Sequence, residues 1–146
     1  MGKQKQKKLA KGSAGQNRNL TADFLVKYQN KEDVHGTESG LLFRIIDNSA
    51  GESPSLNNVV KVHQRILLAD GTVIDDTYRK GLPEEFPLKE AIDGLKEGLQ
   101  LMPAGARYEF VIPPELAWGK KGNSGKIGPN ALMVVDIRLL SFEELC

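Results

Sequence analysis

The stretch that decides the fold reads Leu99-Gln100-Leu101-Met102-Pro103-Ala104-Gly105-Ala106-Arg107-Tyr108-Glu109-Phe110-Val111-Ile112-Pro113-Pro114-Glu115-Leu116-Ala117-Trp118-Gly119. Its first piece ends a helix, because Pro103 cannot continue one and Gly105 tolerates the turn that follows. Its middle piece alternates, with Tyr108, Phe110 and Ile112 on one face and Arg107, Glu109 and Val111 on the other, which is the period of a strand. Pro114 can then open one short helical turn and Gly119 can close it. That turn holds Trp118, the only tryptophan, at a strand's end beside a glycine-rich loop. A large aromatic side chain so placed is either a plug of the core or a wall of a binding site.

Working outward, the segment before this stretch predicts a helix from about Lys89 to Gln100. It turns Ile92, Leu95, Leu99 and, at its end, Leu101 toward the core, and Glu90, Asp93, Lys96 and Glu97 toward water. Phe86-Pro87-Leu88 is a short extended piece reached through a loop from Arg79 to Glu85. Val59 to Leu68 alternates, with Val60, Val62, Gln64 and Ile66 on one face and Val59, Lys61, His63 and Arg65 on the other. Asp70-Gly71 is a tight hairpin signal, and Thr72 to Tyr78 is the returning strand. A first strand covers Gly40 to Asp47, followed by turn residues from Asn48 to Asn58. Beyond the deciding stretch, the glycine-rich basic loop Lys120 to Asn130 leads into a last strand, Leu132 to Leu140. Strands with one substantial helix predict an α+β fold, a twisted antiparallel sheet wrapped around that helix.

At 146 residues with 40% apolar side chains, the chain can bury one core. Three regions are expected: a disordered basic tail over residues 1–18, a short helix and linker over 19–39, and the folded domain over 40–146. Asn19 or Thr21 can cap the short helix, with Asp23 in its first turn and Phe24, Leu25 and Tyr28 sharing a face. His35 sits in the polar linker, with no role beyond it. No apolar run approaches the roughly 20 residues that cross a membrane. Lys3, Lys5, Lys7 and Lys8 have no apolar segment behind them, so no secretory signal is read. The only cysteine, Cys146, ends the chain, and a reducing, cytoplasmic home is expected.

The net charge of +1 hides an asymmetry. Residues 1–22 hold six Lys/Arg and no acid, while the remainder holds fourteen against nineteen Asp/Glu, or −5. Such a tail is either a solvated extension or the source of weak, salt-sensitive contact with nucleic acid or ribosomes.

Several chemistries are set aside. Two distant histidines, His35 and His63, and one terminal cysteine do not make a metal site. Gly119 to Gly128 lacks the Gly-Lys-Ser/Thr ending of a phosphate loop and leads into a strand. Asp75 and Asp76 are adjacent on a strand, point to opposite faces, and do not pair as acid and base. No cofactor or metal is expected.

Asp70-Gly71-x-x-x-Asp75, Ile92-x-Gly94-x-x-Glu97-Gly98-Leu99-x-x-Met102, Ile112-Pro113-x-Glu115-Leu116-Ala117-Trp118-Gly119 and Ile127-Gly128-Pro129-Asn130 together carry a resemblance. They resemble the FKBP-type peptidyl-prolyl isomerases over roughly Phe24 to Phe142. The Leu99–Gly105 wording and the Thr37-x-Ser39-Gly40-Leu41 entry are most similar to the Mip-like bacterial branch. The long N-terminal dimerising helix of many Mip-like proteins has no counterpart here beyond the short Thr21–Tyr28 helix.

The resemblance implies a shallow apolar pocket between sheet and helix that receives a proline side chain. Such a site needs no acid, base or metal. The barrier of about 18–20 kcal/mol comes from amide resonance, and an apolar pocket favours the twisted, less polar transition state. Carried over by residue, Asp75 is a polar partner at the wall, the Ile92 N–H meets a substrate carbonyl, and Trp118 replaces a usual tyrosine. Ile127 is a further contact, and Phe86 belongs to the substrate pocket. Gln64, Ile74, Leu95 and Val135 stand at pocket positions that are usually aromatic, as does Glu84 in the preceding loop. Leu95 replaces a floor tryptophan, and Gln64 brings an amide into a wall that should be dry. Taken singly, Ile74, Leu95 and Val135 read as core.

The first reading is therefore a monomeric isomerase of proline-containing or unfolded polypeptides, assisting protein folding with weak or altered preference. The alternative is a binding or chaperone module on the same fold without appreciable catalysis. A third reading is a ribosome- or nucleic-acid-associated adaptor.

Overall fold

The computed structural model describes residues 13–119, 122 and 127–145. Most of the basic tail, most of the glycine-rich loop and Cys146 therefore lie outside the described residues. Helix α1 spans Ala14–Gln29. Then come strands β1 (His35–Gly36), β2 (Leu42–Asp47), β3 (Asn58–Leu68) and β4 (Val73–Asp76). The short helix α2 (Thr77–Lys80), β5 (Glu84–Pro87), helix α3 (Asp93–Leu99), β6 (Arg107–Ile112) and β7 (Met133–Glu144) complete the chain. The strands form one antiparallel sheet in the order β1-β2-β6-β7-β3-β4, with β5 also on β3.

The alternation read from Val59 to Leu68 is the backbone of this sheet. β3 pairs with β7 from Asn58↔Glu144 to Leu68↔Met133. Its other edge is shared by β5, opposite Val59 to Val62, and β4, opposite Arg65 to Leu67. Between them the Thr77 hydroxyl accepts from the Gln64 N–H at 2.7 Å, standing in for a missing strand partner. The returning strand is accordingly shorter than the sequence predicts. Asp76 caps α2 by accepting from the Arg79 N–H, and Gly81 ends it at φ 74°.

The helix under the sheet is also shorter than expected. Leu88–Glu90 is a single 3-10 turn, Ile92 is extended, and α3 begins only at Asp93. Leu101 is exposed, because the helix has ended by then, and Met102 takes the buried place. α3 lies very close to β6. A Cβ on Gly94 would stand 2.5 Å from Ile112 Cγ2, and one on Gly98 would stand 2.7 Å from the Phe110 ring. Tyr108, Phe110 and Ile112 join Leu95, Leu99, Val60, Val62 and Val135 in the main core, on the face the alternation assigned to them.

The N-terminal region departs most from expectation. Residues 13–18 are not a disordered tail, and the helix starts well before Asn19 or Thr21. Ser13 and Gln16 form a reciprocal capping box, the Ser13 side chain accepting from the Gln16 N–H and the Gln16 side chain from the Ser13 N–H. Asp23 is therefore mid-helix. α1 covers the outer face of the sheet, where Tyr28, Val111, Leu132 and Val134 form a second core with Phe24 and Leu25 against it. The Tyr28 hydroxyl donates to Glu109 Oε1 at 2.8 Å. His35 is not bare linker: it pairs with Phe43 in the β1–β2 ladder and stacks on its ring at 5.1 Å. No helix among the described residues is long and apolar enough to cross a membrane.

Candidate functional site

Between α3 and the main-core face of the sheet opens a cleft of about 570 Å³. Each element supplies part of it for a local reason. β3 presents Gln64 and Ile66, two residues apart and therefore on one face. β4 brings Ile74 and Asp75. The extended segment ahead of α3 contributes Ala91 and Ile92, and α3 itself contributes Leu95. The Pro114–Leu116 turn ends at Trp118, which is 40% exposed and forms an open wall.

Eight of the nine expected site residues line this cleft: Asp75, Ile92, Trp118, Gln64, Ile74, Phe86, Leu95 and Ile127. Val135 does not. It is fully buried between Phe110 and Ile66 in the sheet register, while Met133, two residues earlier on the same face, reaches the cleft. Glu84, which the resemblance also put at a pocket position, lines it too, and Ile66, Glu90, Ala91 and Met133 complete the lining without having been assigned to it. The alternation of β3 was signal enough for Ile66. Glu84 and Glu90 carried no periodic signal.

The polar side of the cleft is a small carboxyl network. Lys80 Nζ donates to Asp75 Oδ1 at 2.9 Å, and the Gln64 amide donates to Glu84 Oε1 at 3.2 Å. Burial raises the Glu84 carboxyl, and its hydrogen bond to Asp75 raises it further. Burial also pushes Asp75 up, but the hydrogen bonds from Lys80 and Glu84 outweigh it and hold Asp75 below its ordinary value. The arrangement favours a protonated Glu84 donating to an ionised Asp75. Gln64 Oε1 is buried with no hydrogen-bond partner among the described residues. The Ile92 N–H, at the entrance to α3, is likewise taken by no acceptor among them. Among the described residues no cluster of metal-ligating side chains forms.

An apolar cleft with one open backbone donor suits a polypeptide held by a carbonyl and an apolar ring. Residues 51–140 match the family model for FKBP-type peptidyl-prolyl cis-trans isomerase. The chain belongs to this family. Among relatives of the FKBP type, the chain is 39% identical to the isomerase FkpA of Aeromonas hydrophila, over 90% of this chain and 48% of that protein. It is 42% identical to a 22 kDa FKBP-type isomerase of Escherichia coli, over 80% and 57%. The solved structure of FkpA from Escherichia coli superposes with a TM-score of 0.86 at 33% identity, covering 90% of this chain and 61% of that one. A peptidyl-prolyl cis-trans isomerase from Pseudomonas syringae pv. tomato matches at 0.82 and 27% identity, covering 91% and 98%. These relatives place the chain in the bacterial Mip and FkpA branch of the FKBP-type proteins. The chain spans about half the length of the curated relatives it matches.

Proposed function

We propose that this FKBP-type domain isomerises X-Pro bonds in polypeptide substrates, with weak or shifted preference. The observation that carries the reading is the cleft itself: an apolar floor of Leu95, Ile66 and Met133 beneath an open Ile92 N–H and the Trp118 wall. In this reading the prolyl ring enters between Leu95 and Trp118, and the Ile92 N–H donates to the substrate carbonyl. The apolar floor withdraws water from the peptide bond. Loss of that hydration favours the twisted transition state, and each 1.4 kcal/mol or so of preference gives about tenfold in rate. Ionised Asp75 is the polar partner at the wall.

Reduced efficiency follows from the lining. Leu95, Ile74 and Gln64 supply no aromatic edge, and the Gln64 amide and Glu84 keep one wall polar. The same deficit supports the second reading, a binding or chaperone module that holds proline-containing or unfolded segments. We further read the domain as a monomer of the cytoplasm whose basic N-terminal residues can contact nucleic acid or ribosomes. A relative titled outer membrane protein MIP, from Legionella longbeachae, is 38% identical, so cell fractionation is the test of compartment.

A protease-free isomerisation assay on a short Leu-Pro or Phe-Pro peptide decides between catalysis and binding. Catalysis predicts a measurable kcat/KM, most of it lost in Trp118→Ala and raised in Leu95→Trp where the indole finds room. Overpacking by that indole would cost roughly 1–3 kcal/mol and show as a lower thermal midpoint. Parent activity that survives Trp118→Ala unchanged would place the chemistry elsewhere. A parent that binds the peptide without accelerating it is the module.

A further inference from the structure

We infer that α1 positions two walls of the cleft, Ile127 and Trp118, from the opposite side of the sheet, so that Asn17 and Thr21 are positioning residues for the isomerase site. The link consists of hydrogen bonds across a long span of sequence. The Asn17 amide donates to the Pro129 carbonyl at 2.9 Å, and the Thr21 hydroxyl donates to the Asn130 carbonyl at 3.1 Å. Both side chains are buried, at 8% exposure each, which is unusual for polar residues on a surface helix. They lie four residues apart and therefore one above the other on the same helix face.

One of the residues they hold is in a strained backbone conformation. Asn130 has φ 58°, a left-handed conformation that asparagine tolerates better than most side chains but that still costs energy. It is held at both ends: its carbonyl by Thr21, and its N–H by the Gly119 carbonyl at 2.8 Å. Gly119, itself at φ 61°, follows Trp118 and donates to the Pro114 carbonyl at 2.8 Å. Upstream, Pro129 has no N–H of its own, so its carbonyl bond to Asn17 fixes the peptide on the far side of Gly128 from Ile127. One continuous set of hydrogen bonds thus runs from α1 through Pro129 and Asn130 to Gly119, with cleft walls attached at both ends. The helix does not touch the cleft, since none of its residues lines it. Its influence passes through backbone placement.

This inference rests on the isomerase reading only for its kinetic readout. The test compares the full chain with Asn17→Ala/Thr21→Val, Thr21→Val alone and Thr21→Ser, which keeps the hydroxyl. Trp118 is the only tryptophan, so its fluorescence and acrylamide quenching report the wall directly, without substrate. The double variant should stay folded by circular dichroism, with increased Trp118 quenching and kcat/KM lower by about threefold to tenfold, mainly through KM. Thr21→Ser should behave as the parent. Leu25→Ala and Tyr28→Phe loosen the seat of α1 without touching the two bonds. They should lower the thermal midpoint while leaving Trp118 quenching near the parent value. A folded double variant with parent quenching overturns the inference, as does equal quenching in Leu25→Ala at an equal loss of midpoint. Should the double variant not fold, Thr21→Val alone decides on the same criteria. Altered quenching with no activity in any variant, parent included, would refute the isomerase reading and leave the positioning role standing.

Discussion

Gly98→Ala should destabilise the protein although alanine is the better helix former. Two effects of known size oppose each other. In a helix interior the change gains about 1 kcal/mol from backbone entropy. Against it, the new methyl would sit 2.7 Å from Phe110 Cε1 and Cζ, where carbon atoms prefer about 3.5–4.0 Å. Relief requires roughly 1 Å of separation between α3 and β6. The Phe110 ring cannot yield: it is fully buried and packed against Phe43 and Tyr108 at 5.9 and 5.8 Å. Overpacking of this kind costs about 1–3 kcal/mol, so the net effect is a loss of up to about 2 kcal/mol, as much as a few degrees in thermal midpoint at this size. Because Leu95 rides on the same helix, KM should rise as well. Gly15→Ala is the matched control, since nothing lies within 4 Å of a Cβ there. That variant should gain a few tenths of a kcal/mol. Thermal melts of both beside the parent settle it. A Gly98→Ala midpoint at or above that of the parent would refute the close-packing argument.

Glu84→Gln should flatten the pH dependence of stability. The Glu84 carboxyl is raised from 4.5, so what it contributes is present below that value and lost as pH climbs through its folded value. Asp75 is lowered from 3.8, so its contribution is present above that value and lost as pH falls through its folded value. Glutamine keeps an N–H donor for Asp75 and cannot ionise. Melts from pH 4.5 upward should decline in the parent and stay level in the variant; parallel curves would contradict the shared-proton arrangement. Deleting residues 1–12 should move the midpoint by no more than about a degree or two, because that composition offers little apolar surface to bury. Deletion through residue 18 should cost about 0.5–2 kcal/mol more, because it removes the Ser13 cap and Asn17. Equal midpoints for the two truncations would show that the first turn of α1 does not hold the domain.

The fold was legible where one physical requirement dominated the local sequence. The alternation of Tyr108, Phe110 and Ile112 named the core face of β6, and that of Val60, Val62 and Gln64 did the same for β3. Asp70-Gly71 specified its turn, with Gly71 at φ 92°. Elements failed to match where long-range contacts decided them. Thr77 and Tyr78 look like strand residues, yet the Thr77 hydroxyl serves the Gln64 backbone and the chain turns helical around it. The first turn of α1 carries almost no apolar residue. Its capping box was readable at Ser13 and Gln16, but its tertiary reason lies more than 100 residues away at Pro129 and Asn130.

The site was legible to a different degree, because a pocket is specified by shape and its polarity by pairing. Apolar residues such as Leu95, Ile74 and Ile92 could be assigned from resemblance and periodicity together, and they line the cleft. Val135 could not be separated from them by sequence, since core and cleft lie on the same face of one strand. The chemistry of the remaining wall depends on which carboxyl holds a proton, and no single residue states that. Glu84 alone is an exposed acid on a short strand. Beside Asp75, Lys80 and Gln64 its carboxyl is raised, by burial first and then by the hydrogen bond to Asp75, while it accepts from the Gln64 amide. The amide of Gln64 then has a use for its N–H and none for its Oε1. An unpaired buried acceptor costs about 1–3 kcal/mol, which a substrate could recover only by presenting a donor there. A side chain with an N–H next to proline would do so, whereas the leucine or phenylalanine of ordinary test peptides cannot. Comparing kcat/KM for Gln-Pro and Leu-Pro peptides measures this. The ratio should shift toward Leu-Pro in Gln64→Leu, and an unchanged ratio would mean that Oε1 stays beyond the substrate's reach.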